Sequence, residues 1–315
     1  MSKIAFIYPG QGAQKAGMGA DFYENSEIAR YIFDQAGEEL DLDMKELCFE
    51  ENDRLDLTEY TQAAMVTTCL AMPRAAESKG LKADITAGLS LGEYPAIAAA
   101  GGMNDMDAIR LVRKRGILMQ NTVPAGEGAM CAVISMAAEE IEKVIEPIAD
   151  VSVANYNCPG QIVITGKTDA VEEAAAKLKE AGARRTIMLN VSGPFHSQML
   201  VPAGEKLAEE LEHTRFHELR IPYVTNVTAE KVTDIRETPG LLTTQISSPV
   251  RWMQSMERMI ADGVDTFVEI GPGKTLEGFL RKIDRSVKVF HISQWEDVDK
   301  VCTELADSGK MMEEA

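Results

Sequence analysis

The sequence lacks several features that define whole classes of protein. Its cysteines number five in 315 residues and contain no C-x-x-C pair, lying at Cys48, Cys69, Cys131, Cys158 and Cys302. Such spacing argues against structural zinc and disulfides and favours a reduced, cytoplasmic protein. No apolar run approaches the ~20 residues of a membrane helix, and the first run, 4–8, is too short for a signal peptide. We therefore expect no metal site and no membrane.

Positive charge is also scarce. Lys and Arg total 32 against 50 Asp and Glu, which gives a formal net charge of -18. This balance argues against nucleic acid as a partner, because phosphate recognition needs a basic surface. With 45% hydrophobic residues the chain can bury a large core, and its length predicts one large domain and a smaller one. The charged surface favours a monomer.

What the sequence does contain is a short apolar strand, 84–88, that leads into Gly88-Leu89-Ser90-Leu91-Gly92 and then a helix. Strand, Gly-x-Ser-x-Gly and helix together predict a nucleophile elbow. The glycines leave room for a tight turn, and the helix N-terminus favours negative charge on a bound acyl oxygen. The alternative is a glycine-flanked surface turn.

His196 is the best candidate for a base that activates Ser90. Of the four histidines it alone lies in a Gly-Pro turn before a helix, within Ser192-Gly193-Pro194-Phe195-His196. A serine hydroxyl is a weak nucleophile until an imidazole takes its proton. No acidic residue stands out as the group that orients this imidazole, so a backbone carbonyl could do so in a Ser-His dyad.

The middle of the chain predicts a smaller unit. After Pro124-Ala125-Gly126 the pattern is strand 129–135, helix 137–148, strands 151–156 and 161–165, helix 168–181 and strand 185–191. This β-α-β-β-α-β order is typical of a ferredoxin-like unit. We therefore predict an α/β protein with a large domain of residues 1–124 and 194–315 and an inserted small domain of residues 125–193.

Several polar residues have two interpretations. A basic run on the helix after Asn104 is either a solvated face or part of a site, and comprises Arg110, Arg113, Lys114 and Arg115. Asn155 and Asn157 either line a cleft or close the turn 157–161. Gln62 is a polar residue on an otherwise apolar helix face of 57–78.

Motifs along nearly the whole chain resemble the malonyl-CoA:acyl-carrier-protein transacylases in order and spacing. They are Tyr8-Pro9-Gly10-Gln11-Gly12, 88–93, Arg115-Gly116, Gly128-Ala129-Met130, Asn157-Cys158-Pro159-Gly160-Gln161, Pro194-Phe195-His196-Ser197, Pro249-Val250-Arg251-Trp252 and Glu269-Ile270-Gly271-Pro272-Gly273. The resemblance implies an α/β-hydrolase-like large domain with the ferredoxin-like insert, and an active site between them. Leu89 departs from the pattern, because the family usually has histidine before the nucleophile.

The resemblance also implies residue roles. Ser90 is the acylated nucleophile, His196 the acid/base, and Arg115 the partner of the free malonyl carboxylate. The implied oxyanion hole is the backbone N–H groups of Gln11 and Leu91, and the carbonyl of Gln245 orients His196. Substrate contacts are expected from Gln62, Phe195 and Asn157, with Phe195 typical of malonyl-selective members.

The implied reaction is ping-pong transfer of malonyl from malonyl-CoA to the phosphopantetheine thiol of acyl carrier protein, which supplies fatty-acid chain elongation. It needs no cofactor and no metal. A trans-acting polyketide acyltransferase would show the same motifs. Two other interpretations remain: a serine esterase or thioesterase, with water as acceptor, and an inactive member that binds acyl-CoA or carrier protein.

Overall fold

The computed structural model describes residues 3–307, the side chain of Asp307 excepted. Its strands are β1 (Lys3–Tyr8), β2 (Ile85–Gly88), β3 (Gly128–Ile134), β4 (Val151–Cys158), β5 (Gln161–Lys167), β6 (Arg185–Met188), β7 (Tyr223–Val224), β8 (Lys231–Val232), β9 (Val264–Ile270) and β10 (Lys288–Ile292). Its helices are α1 (Ala20–Asn25), α2 (Glu27–Leu40), α3 (Met44–Phe49), α4 (Thr58–Glu77), α5 (Glu93–Ala99), α6 (Asp105–Asn121), α7 (Ala138–Ile145), α8 (Thr168–Glu180), α9 (Val201–Glu212), α10 (Thr238–Gln245), α11 (Trp252–Ala261), α12 (Thr275–Ile283) and α13 (Trp295–Asp307). Short 3-10 turns occupy Ser90–Gly92, Gln198–Leu200 and Ile235–Glu237.

The larger sheet has six strands in the order β10-β9-β1-β2-β7-β8. Its pairs are parallel except β7 with β8. In β1 all residues after Lys3 are buried, as expected of a strand covered on both faces. Tyr8 pairs in register with Gly88, so the loops after β1 and β2 leave the sheet side by side. Ligands gather at this carboxyl edge in open α/β sheets.

The smaller sheet has four antiparallel strands in the order β4-β5-β3-β6. Strands and helices follow the predicted β-α-β-β-α-β order. The last strand is shorter than predicted, ending at Met188, because residues 189–192 turn away to line a cavity. Side chains of β3 and β5, including Cys131, Val133 and Ile164, form a separate core that contains residues of α7 and α8. The prediction of a mixed α/β fold is confirmed, with two sheets.

Main-chain hydrogen bonds attach the small sheet to the segment between α10 and α11. Tyr156 N donates to Val250 O at 2.9 Å, and Val250 N donates to Ala154 O at 2.8 Å. Val250 belongs to the segment between α10 and α11, and its side chain packs in an apolar core that contains residues of the large sheet. The small sheet is therefore attached where α10 ends.

Helices α4 and α6 approach closely beside the large sheet. A Cβ atom at Gly116 would lie 2.9 Å from Thr58 O, so this glycine permits the contact. The approach sets Gln62 of α4 opposite Arg115 of α6. The sequence pattern does not predict α1, α3 or α13. None of the helices within residues 3–307 has the length and apolarity that a bilayer crossing requires.

The close approach of the backbone at the end of β2 leaves no room for a side chain at Gly88. A Cβ atom at Gly88 would lie 1.8 Å from Gly92 O. Gly88→Ala is therefore expected to lower the free energy of unfolding by about 3 kcal/mol, the upper end for overpacking, as measured by urea denaturation. The matched control is Gly278→Ala in α12, where a Cβ meets no atom within 4 Å and the change should stay below about 1 kcal/mol. Equal effects would contradict this account of the turn.

Candidate active site

The turn after β2 holds Ser90 in a strained conformation. Ser90 has φ of 52°, in the left-handed region that non-glycine residues seldom occupy. Asn226, which follows the adjacent strand β7, stabilises this backbone: its Oδ1 accepts from Ser90 N at 2.6 Å and its Nδ2 donates to Gly88 O at 2.7 Å. Gly92 lies against β1, since a Cβ there would meet Tyr8 O at 2.2 Å. The serine is thus fixed at the carboxyl edge of the sheet.

Ser90, His196 and Gln245 form a hydrogen-bonded chain. Ser90 Oγ lies 2.7 Å from His196 Nε2, and His196 Nδ1 lies 2.9 Å from the main-chain oxygen of Gln245. A carbonyl oxygen only accepts, so Nδ1 carries the proton and Nε2 accepts from the serine hydroxyl. Burial, and then the charge of Arg115, lowers the pKa of His196 to about 4. The imidazole is therefore neutral at pH 7, as a general base must be.

Arg115 lies beside the serine, 1% exposed. Its Nη1 donates to Gln62 Oε1 at 2.8 Å, and its Nη2 donates to Ser90 Oγ at 3.2 Å and to Gln245 Oε1 at 3.1 Å. The guanidinium also lies 5.4 Å from the centre of the Tyr94 ring. Among residues 3–307 it forms no salt bridge, and its Nε has no hydrogen-bond partner. Burial lowers its pKa, but an arginine remains charged at neutral pH.

Two amide side chains enclose the guanidinium. Gln62 is 1% exposed, and its Nε2 lies 3.3 Å from Met119 Sδ, so its oxygen faces Arg115. Gln245 is equally buried and presents its Oε1 from the other side. The amide oxygens accept from the two Nη atoms without neutralising the charge. The site thus holds a desolvated cation next to a nucleophile.

A cavity of about 730 Å³ opens beside Ser90 and His196, and the buried guanidinium of Arg115 is not part of its wall. This volume falls within the usual range for small-molecule sites. The predicted site residues on its wall are Gln11, Ser90, Asn157, Phe195 and His196. Asn157 is 7% exposed, and its Oδ1 has no hydrogen-bond partner in the described part of the chain. Leu91 is buried directly after Ser90.

Leu89 also lines the cavity. It contacts the loop after β1 so closely that a Cβ at Gly10 would lie 2.6 Å from Leu89 O and 2.9 Å from its Cδ2. Its side chain packs with the apolar core of the large sheet. The position that departs from the family pattern therefore contributes an apolar part of the wall.

The structure separates the basic residues of α6. Arg110 is exposed and bonds Glu39 at 2.8 Å, as a solvated face predicts. Arg113 is different, with 17% of its side chain exposed, a salt bridge to Glu59 at 2.9 Å and the Tyr60 ring 4.4 Å away. Arg115 points inward. The solvated interpretation is wrong for Arg113.

Sequence reasoning missed two residues of the site. Asn226 holds the serine backbone, and Glu93 accepts from Asn226 N at 3.1 Å and from Gln245 Nε2 at 2.7 Å. A weak signal existed for each: Glu93 directly follows the Gly-x-Ser-x-Gly motif, and Asn226 follows a strand. Neither signal says what the side chain contacts.

Comparison with known proteins assigns the chain. The model of the acyl transferase domain family matches residues 5–298. The malonyl CoA-acyl carrier protein transacylase of Bacillus subtilis (strain 168) is 44% identical over 304 residues, which are 95% of this chain and 96% of that protein. The chain therefore belongs to the acyl transferase domain family and, within it, to the malonyl CoA-acyl carrier protein transacylases, which confirms the family resemblance.

Solved structures agree with this assignment. The crystal structure of the transacylase from Clostridium perfringens ATCC 13124 has a TM-score of 0.94 and 42% identity, with 98% of each chain covered. A malonyl-transacylase in complex with its type II PKS acyl-carrier protein has a TM-score of 0.93 and 35% identity, and covers 96% of this chain and 100% of that one. The mixed α/β fold with two sheets is thus shared with these transacylases.

The charge of Arg115 should be measurable at His196. Arg115→Met removes the second cause that lowers the imidazole pKa, while burial, the first, remains. The pKa of His196 is therefore expected to rise from about 4 but to stay below 6.5, as measured by NMR titration of the four histidines. Arg110→Met, on the exposed face of the same helix, is the control and should leave it unchanged. An unchanged pKa of His196 in Arg115→Met would contradict the placement of the guanidinium beside the imidazole.

Proposed function

We propose that this protein transfers the malonyl group of malonyl-CoA to the phosphopantetheine thiol of acyl carrier protein, supplying fatty-acid chain elongation. The observation that carries the proposal is the buried guanidinium of Arg115, which lies 3.2 Å from Ser90 Oγ and forms no salt bridge within residues 3–307. A buried cation without an ionic partner is costly. The free carboxylate of a malonyl thioester supplies that partner through two parallel hydrogen bonds.

The first half-reaction is attack by Ser90. Its Oγ adds to the thioester carbonyl while His196 Nε2 takes the hydroxyl proton. The carbonyl carbon becomes tetrahedral, and its oxygen, now negative, faces the backbone N–H groups of Gln11 and Leu91. Collapse of this intermediate breaks the carbon–sulfur bond. His196 returns the proton to the departing CoA thiolate, and Ser90 now carries the malonyl group as an ester.

The second half-reaction runs in reverse with a different thiol. The phosphopantetheine thiol of the carrier protein gives its proton to His196, and the thiolate adds to the malonyl-serine carbonyl. Collapse restores the serine hydroxyl, with the proton delivered by His196. The solved complex of a similar malonyl-transacylase with its acyl-carrier protein supports this partner. No cofactor or metal enters these steps.

The remaining site residues act on the substrate. Gln62 and Gln245 hold the guanidinium on both sides, which fixes the direction in which it can meet a carboxylate. Phe195 occupies the cavity wall and restricts the space beside the α-carbon of the acyl group. Asn157 offers a buried Oδ1 to the pantetheine amides.

We further propose the division into an α/β-hydrolase-like domain, residues 1–124 and 194–315, and a ferredoxin-like domain, residues 125–193. The separate sheets and the separate apolar core of residues 129–183 support it. Hydrogen exchange is expected to show residues 125–193 opening as a unit. Protection that rises and falls together with β1 and β2 would contradict the division.

An esterase fits the site less well. A water acceptor needs the serine and the histidine but gives no reason to bury an unpaired arginine beside them. An inactive binding member is disfavoured by the 2.7 Å contact of Ser90 with His196.

The proposed mechanism requires a covalent malonyl ester on Ser90. The protein incubated with malonyl-CoA should gain the mass of one malonyl group, located on the peptide that contains Ser90. Ser90→Ala should gain none, since the nucleophilic oxygen is absent. Intact-protein and peptide mass spectrometry make the measurement. Wild-type protein that stays unmodified would contradict the proposed function.

Arg115 should determine acyl preference. Arg115→Ala is expected to lower kcat/KM for malonyl transfer by about a hundredfold or more, as removal of a buried charge-assisted contact does, while transfer of acetyl from acetyl-CoA stays equal or rises. Both activities are compared in one thiol-release assay. Gln62→Ala, which keeps the charge, serves as the matched variant and should retain the malonyl preference. Equal losses for both acyl groups in Arg115→Ala would show a structural role.

A further inference from the structure

Glu93 is a buried carboxylate without a role in the mechanism above. Within residues 3–307 the glutamates Glu93 and Glu269 are both 0% exposed. Glu269 has a local explanation, because it accepts from Leu276 N at 3.1 Å and Glu277 N at 2.8 Å at the start of α12. Glu93 begins α5, three residues after Ser90, and its contacts are with distant parts of the chain. Burying a carboxylate costs free energy unless the group is paired or hydrogen-bonded, so the contacts of Glu93 indicate what this side chain does in the site.

The first contact sets the orientation of Gln245. Gln245 Nε2 donates to Glu93 Oε2 at 2.7 Å and to Ser90 O at 2.9 Å. With the nitrogen fixed there, Gln245 Oε1 must face Arg115 Nη2, which it does at 3.1 Å. A flipped amide would set an NH₂ group against the guanidinium and an oxygen against the carboxylate. The carboxylate therefore selects the rotamer of the residue whose main-chain oxygen holds His196.

The second contact fixes the serine turn. Glu93 Oε2 also accepts from Asn226 N at 3.1 Å. The side chain of Asn226 in turn holds Ser90 N and Gly88 O. One carboxylate oxygen thus connects to the imidazole through Gln245 and to the strained serine backbone through Asn226.

We propose that Glu93 is the positioning residue of this site: it holds Gln245 and Asn226, and through them fixes the imidazole of His196 and the backbone of Ser90. The negative charge of Glu93 also offsets the positive charge of Arg115, across the amide of Gln245. This inference rests on the proposed function only for the identity of the reacting groups. It assigns to Glu93 an orienting role that the chain order did not reveal, with Gln245 between acid and base: the side-chain amide of Gln245 bonds Glu93 and its main-chain oxygen bonds His196.

The ionisation of Glu93 has a consequence near neutral pH. Burial raises the pKa of this carboxyl to about 7, although hydrogen bonds from Gln245 and Asn226 and the charge of Arg115 oppose the rise. Within residues 3–307 the other ionisable groups that interact with it are Tyr94 and Tyr223; burial raises the pKa of Tyr94 to about 12 and also raises that of Tyr223. Neither tyrosine titrates near pH 7. Protonation of Glu93 removes the offsetting charge, so the reactivity of Ser90 should fall as the pH drops through about 7.

A neutral fluorophosphonate that labels activated serines tests the inference without malonyl-CoA. In the wild-type protein the labelling rate of Ser90 is expected to decline between about pH 8 and pH 6, around the pKa given above. Glu93→Gln should label about tenfold or more slowly at pH 8, part of what general-base catalysis contributes, and should lose the decline. The control is Glu77→Gln, a glutamate of α4 paired with Arg74, which should behave as wild type.

A double-mutant cycle distinguishes positioning from general support of the fold. If Glu93 acts through Gln245, Glu93→Gln should slow labelling less in the Gln245→Ala variant than it does in the wild-type protein. Glu93→Asp, which keeps the charge but has a shorter reach, should fall between wild type and Glu93→Gln. Thermal melting of each variant reports folding separately.

Several outcomes would overturn the inference. The inference is overturned, and the proposed function left intact, if Glu93→Gln is labelled at the wild-type rate. The same holds if Glu93→Gln and Gln245→Ala slow labelling independently, so that their factors multiply in the double variant. A wild-type rate that is constant between about pH 6 and pH 8 contradicts it without any variant. Failure of the wild type to label at all would overturn the proposed function and this inference with it.

Discussion

A buried positive charge constrains the whole site. The Arg115 guanidinium lies in the core between α4 and α6, and the helices come close enough to enclose it because Gly116 has no side chain. Amide oxygens of Gln62 and Gln245 accept from its Nη atoms, and Glu93 offsets its charge only across the amide of Gln245, so no carboxylate of residues 3–307 contacts the guanidinium directly. Such an arrangement is poorly suited to a neutral acyl group and well suited to one that ends in a carboxylate. Under the proposed function, acyl selectivity is set by the packing of α4 against α6.

The other parts of the site follow from the sheet. Because Tyr8 and Gly88 pair in register, the loop with Gln11 and the turn with Ser90 leave the sheet together. The adjacent strand β7 brings Asn226 to the same edge. Helix α10 ends at Gln245, whose main-chain oxygen bonds His196, and the segment after it attaches to the small sheet through Val250. Distant stretches of sequence therefore converge on one site.

Local pattern predicted the parts of this arrangement that have a local cause. Ser90 lies in a turn that needs two glycines, and the β-α-β-β-α-β order follows from periodicity. Arg115 has no local signature, because one arginine among several on α6 is assigned inward only by packing, and its role came from resemblance alone. The connections of Glu93 and Asn226 depend on side-chain geometry across more than a hundred residues, which no spacing encodes. The two-residue strand β8 lies below the length at which alternation is informative.

The most direct test is the structure of the protein with malonate esterified to Ser90, determined by crystallography from malonyl-CoA-treated protein. The account predicts that both carboxylate oxygens lie about 2.7–2.9 Å from guanidinium nitrogens of Arg115. A carboxylate that points into the open cavity, with Arg115 still bonded only to Gln62, Gln245 and the serine oxygen, would contradict it.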